Sequence, residues 1–326
     1  MMRSLKRIVI FLVAVFFLSS CSNKEYPPVQ ENLSIAATVN IKDKSLSFID
    51  LDKMEKMLDW EMDKPYTGAI IFPDGDTILL YGKQVETADL YSLKRGQKID
   101  SWKTGKGIVN GKLLQQGSKI ALVDQDLNKI RFFNLNGEEQ WQVKTEMNPL
   151  TILEAEKEKK LFVLSFNKKQ LTVIDLVKRK KIEGYPIHPS AAGAWLNDAK
   201  GEIWIGGHGS GAEIEKDIHV YNSVSGEFIR KIPAPSMPIN FIGNDNHVFV
   251  LSHGTSKLYQ LNEDGNVLDS IVVGANPFEM LLIDNQLIIA GYDSNDLHII
   301  DAENLKINKT ISVGNGPFQI VVRERK

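Results

Sequence analysis

"VGNGPFQIVV", residues 313–322, restates a phrase used forty positions earlier, "VGANPFEMLL", residues 273–282. A phrase repeated at that interval is the mark of a repeat architecture. Working outward, Pro65, Pro149, Pro189, Pro238, Pro277 and Pro317 each stand before a short, mostly apolar run: "TGAIIF", "LTIL", "AAGAWL", "INFI", "FEMLL" and "FQIVV". The gaps are 84, 40, 49, 39 and 40 residues. The first is two periods long, and "GIVNGKLL" near position 107 supplies the missing run, giving seven units.

Every unit continues in the same way. A polar turn leads to a second apolar run such as "TILLYG", "KLFVLSF" or "QLIIAG". A third run stops at a turn former: Asp50, Ser92, Asn134, Asp175, Asn222, Asn262 and Asp301 in the seven units. These side chains suit a turn entry because they can accept bonds from backbone amides just ahead. A fourth run, such as "KIDSWK" or "NKTISV", returns. The runs are short, partly β-branched or aromatic, and bounded by Gly, Asn, Asp or Pro, and no stretch after the leader holds a helical period. Four strands in about forty residues, seven times over, predict an all-β chain: a seven-bladed β-propeller of four-stranded antiparallel blades. The first unit, "SIAATVN", begins with a second strand, and "PFQIVV" is a first strand with no blade after it. Pairing of Phe318–Val322 with Ser34–Val39 is therefore expected to close the ring.

The leader differs from the rest. Arg3, Lys6 and Arg7 precede an apolar run over Ile8–Leu18, too short for a membrane span of roughly twenty residues. Leu18-Ser19-Ser20-Cys21 follows and looks like a bacterial lipobox, which implies a lipid on Cys21. The expected division is a signal peptide over 1–20, a lipidated cysteine and polar tether over 21–33, and the propeller over 34–326. Cys21 is the only cysteine, so no disulfide forms within the chain. Removing the leader takes away three of 39 basic residues and none of 41 acidic ones, moving the formal charge from −2 to −5. That balance, with no basic stripe, argues against nucleic acid. The expected partners are a membrane, through the lipid, and a protein or envelope ligand on the loop face of a monomeric domain outside the cytoplasm.

"LFVLSFNKKQLTVIDLVKRKKI", residues 161–182, and residues 287–322 together resemble the YVTN-type repeats of bacterial surface propellers. Propellers of that kind include lactone-cleaving hydrolases and antibiotic-opening lyases, which implies an alternative to a binding module: a metal-dependent hydrolase or lyase. His188, His208 and His253, from loops of one face, with Glu213, are the candidates for such chemistry. Their spacing matches no metal motif, so neither a metal nor a cofactor is assigned, and the binding module is preferred. His219, His247 and His298 read as structural. "GGHGSGAE" is glycine-rich but runs into a strand rather than a helix, which speaks against a phosphate cradle. Trp60, Trp102 and Trp141 fall on the fourth strands of the first three units, a candidate aromatic stripe for a partner.

Overall fold

The structure, a computed structural model, describes residues 24–189, 191–210, 213–244 and 246–325. Seven four-stranded antiparallel sheets carry the fold, with a two-stranded hairpin set into the fifth. Blade 1 holds Ile35–Asn40, Ser45–Asp50 and Glu55–Glu61, and takes its innermost strand, Pro317–Arg323, from the other end of the chain. Ala36 faces Val322 and Thr38 faces Ile320, the closure that the repeated phrase predicts. Blades 2 to 7 follow in order, each made of four consecutive main strands.

The sequence dictates the layering. Second and third strands are largely buried, as in Thr77–Tyr81 and Ala88–Ser92, and read as mostly apolar runs. Fourth strands such as Val267–Val272 are mostly open to solvent. All seven turn formers act as read: Asp50 accepts from the Lys53 amide, Ser92 from Arg95, Asn134 from Asn136, Asp175 from Lys178, Asn222 from Val224, Asn262 from Asp264 and Asp301 from Glu303. One feature of the edge is not legible in the sequence. Each third–fourth strand pair shifts register once, for example at Phe48/Ile49 and Ile299/Ile300. Such bulges twist an outer strand away from further pairing.

Seven apolar clusters fill the seven blade interfaces. The cluster between blades 1 and 2 also takes in Tyr26 and Val29. The stretch read as a tether is therefore packed from Lys24 on. The Tyr26 amide donates to Gly96 O at 2.7 Å and that of Val29 to Leu93 O at 2.9 Å. Arg323 locks the two termini together, donating to the carbonyls of Leu33 and Gln30 and, at 3.1 Å, to that of Gly75 in blade 2.

The tryptophan stripe does not exist as a surface. Trp60 is fully buried, stacked on Tyr26 with ring centroids 4.9 Å apart and donating to Pro27 O at 2.9 Å. Trp102 is buried against Phe133. Trp141 is half-buried and stacked on Phe132 at 3.6 Å. The physical reason is blade packing: aromatic faces fill the wedge between neighbouring sheets and the N-terminal segment roofs the first of them.

Candidate functional site

The third residue of six innermost strands stands at the axis: Asn110, Thr151, Gly193, Asn240, Glu279 and Gln319; in blade 2 the equivalent position is Gly68, opposite Tyr81. Several clasp the next blade. Asn110 donates to Leu150 O at 3.0 Å, Thr151 to Ala192 O at 2.6 Å, Asn240 to Phe278 O at 3.1 Å, and Gln319 accepts from the Ala69 amide at 2.6 Å. Gly193 is needed at its place because a Cβ there would lie 1.8 Å from Ile239 O. Above this ring lies a cavity of about 230 Å³, lined by residues of all seven blades, among them Tyr81, Leu150, Ile239, Phe278 and Phe318. Glu279 is the one carboxylate of the ring. Enclosure by protein raises its pKa to about 7, against weaker opposing bonds from the Met280 amide and Asn240.

The mouth of that cavity carries an arc of half-buried rings. Phe166 of blade 4 meets His208 of blade 5 at 6.4 Å between centroids, and His208 meets His253 of blade 6 at 5.4 Å. His253 packs on Phe278 of blade 7 at 4.6 Å, and Phe278 on Phe318 at 5.6 Å. Tyr292 closes the group at 5.5 Å from Phe278, with the Lys42 ammonium 4.2 Å above its ring. Burial holds both imidazoles below their ordinary range, so they are neutral, weakly polar rings at physiological pH.

The predicted histidine trio is thus divided. His208 and His253 meet at the axis, while His188 pairs with His219 away from it, rings stacked at 3.7 Å and 8°. Both Nε2 atoms face Glu215 Oε2, from 3.6 Å for His188 and 3.4 Å for His219. Burial, with His219 and Lys231 next in effect, lowers the His188 pKa to about 3. Glu213, the carboxylate expected beside the histidines, is exposed on the small hairpin. The carboxylate that the structure brings to the histidine pair is Glu215, and His219, read as structural, is one of the pair. Residues 215, 217 and 219 alternate onto one face entering an extended strand, a signal present in "EKDIH".

One loop serves both places. His208 and Glu215 flank the small hairpin of Gly209–Ser210 and Glu213–Ile214, and the Glu215 amide donates to His208 O at 3.3 Å. Gly209 makes the return possible, with φ near +100° and room for no Cβ, which would lie 2.0 Å from Glu213 O.

No family model matches the chain, and no curated protein matches it in sequence. Solved structures share the fold. A functionally unknown protein from Desulfotomaculum acetoxidans DSM 771 superimposes with a TM-score of 0.73 at 10% identity, covering 90% of this chain and 99% of that one. Hydrazine synthase of Kuenenia stuttgartiensis gives 0.69 at 13% identity, over 85% and 98%. Apo AztD from Citrobacter koseri gives 0.58 at 16% identity, over 89% and 98%. At these identities the likeness establishes the seven-bladed β-propeller fold and leaves ligand and reaction open.

Proposed function

We propose that the protein is a lipid-anchored, extracytoplasmic propeller of YVTN type that binds a protein or envelope ligand at its axial mouth. One observation carries the reading: half-buried rings from five adjacent blades form a continuous arc over a cavity that residues of all seven blades line. Concave apolar sites with a few placed polar groups are where ligands bind. About 230 Å³ suits one side chain or a small apolar group, and the amides of Asn110, Asn240 and Gln319 would fix its orientation. Cys21, which lies outside the described residues, would hold this face near the membrane through its lipid.

The hydrolase or lyase reading needs His188, His208 and His253 together over the channel, and the structure divides them, which favours binding over catalysis. The test uses the full chain, immobilised and challenged with detergent-solubilised envelope. The wild type should retain a ligand that Phe278→Ala with His253→Ala loses and Val224→Ser, on the opposite face, keeps. Equal retention by all three would overturn the assignment. Separately, Cys21→Ser should release the protein from the membrane fraction.

A further inference from the structure

We infer that His188, Glu215 and His219 form a binding site for one borderline divalent transition-metal ion of the Zn²⁺, Co²⁺ or Cu²⁺ class, distinct from the axial cavity. The ligand atoms of the three residues all lie within 4.8 Å of one another. Both ring nitrogens of His188 and Nε2 of His219 are buried with no hydrogen-bond partner among the described residues, and each side chain is only 9% exposed. Contacts of 3.4 and 3.6 Å to the carboxylate are too long to repay that burial as hydrogen bonds. They match the edge of a tetrahedral site, about 3.4 Å when each ligand stands about 2.1 Å from the ion.

The carboxylate is already aimed. Glu215 Oε1 accepts from the amides of Lys216 and Asp217, both at 3.0 Å, which turns Oε2 toward the imidazoles. Such an orienting bond is what a metal ligand needs. His188 sits on the connection between blades 4 and 5, its amide donating to the Tyr221 hydroxyl at 3.0 Å. A turn of that ring out of the stack brings both lone pairs onto one ion. Lys231, the nearby cation, is paired with Asp217 at 3.0 Å. Two imidazoles and one carboxylate suit borderline ions and poorly suit Ca²⁺ or Mg²⁺, which take mostly oxygen. A cavity of about 340 Å³ borders the group and leaves a fourth position for water or a ligand group.

The full chain, stripped with chelator and titrated with Co²⁺, is expected to take up one tight equivalent with the visible absorption of a tetrahedral or five-coordinate ion. Zn²⁺ should displace it and raise the melting temperature. Glu215→Gln and His188→Gln, each checked for an unchanged metal-free melting temperature, should weaken binding by roughly tenfold or more. His208→Ala with His253→Ala should leave the tight equivalent in place. Should either single variant fail to fold, the wild-type Co²⁺ spectrum and the axial double variant decide. Absence of the Co²⁺ band at ~100 µM ion, well above the range of a built site, would overturn the inference. So would a tight equivalent that survives Glu215→Gln, or one lost with the axial pair.

Discussion

Two buried polar groups, on opposite sides of the ring, are treated very differently. At the seam of blades 1 and 2, the Asp89 carboxylate is fully buried and fully answered. Lys64 reaches it at 2.6 Å, Lys98 at 2.9 Å, Tyr66 at 2.5 Å and Thr87 at 2.9 Å, with Ser101 also donating. Burial alone would raise its pKa, but these partners hold it well below the usual carboxylate range. On the connection between blades 4 and 5, His188 is nearly as buried, and neither ring nitrogen has a hydrogen-bond partner among the described residues. The seam also carries the docked segment 24–33, the Trp60 stack and Arg323. Saturated polar groups hold a structure together, whereas an unsaturated one at comparable burial calls for an explanation, which at His188 is the ion inferred above.

If the seam is what closes the ring, removing residues 317–326 should have the largest effect on stability. It opens blade 1 and removes Arg323, and cooperative unfolding by urea should be lost; a retained transition would break the comparison. Asp89→Ala comes next. It leaves Lys64 and Lys98 facing a buried gap, and should cost about 3–5 kcal/mol, read as a lower urea midpoint.

Glu279 lies between the two regimes, since it is enclosed but weakly answered. The free side chain titrates near 4.5 and the folded one at about 7. Between those values the unfolded chain ionises first, so stability falls as pH rises from about 4.5 and levels off above about 7. Glu279→Gln should therefore gain on the order of 1–3 kcal/mol at pH 8 and show no gain at pH 4. A gain independent of pH would remove Glu279 from the account. Smallest of all, Lys42→Ala breaks an exposed pair with Asp293 and should change stability by under about 1 kcal/mol, while weakening ligand retention at the mouth beside Tyr292.

Much of this was legible in the sequence, for reasons that the comparison explains. Blade count, strand order, turn formers and the clasp depend on local patterns, and the echo of "VGANPFEMLL" in "VGNGPFQIVV" sets their register. The docking of residues 24–33 was not legible. It rests on backbone bonds and on two buried side chains, Tyr26 and Val29, in a stretch whose composition is that of a tether. The same hidden segment turns Trp60 from a surface candidate into core. The axial column Asn110, Thr151, Asn240, Glu279 and Gln319 could have been read by aligning the repeats two residues past each proline or its equivalent. Which histidines meet could not, because the choice between His208–His253 and His188–His219 is made by how adjacent blades rotate about the axis.

The central claim is that the loop face over blades 4 to 7 is the binding face. A photoreactive phenylalanine analogue placed at Tyr292 on that face, and in a second protein at Val224 on the opposite face, tests it in intact cells that express the protein. The account predicts a discrete crosslinked adduct from Tyr292 that Phe278→Ala abolishes, and none from Val224. An adduct from Val224 alone, or equal adducts from both faces, would contradict it.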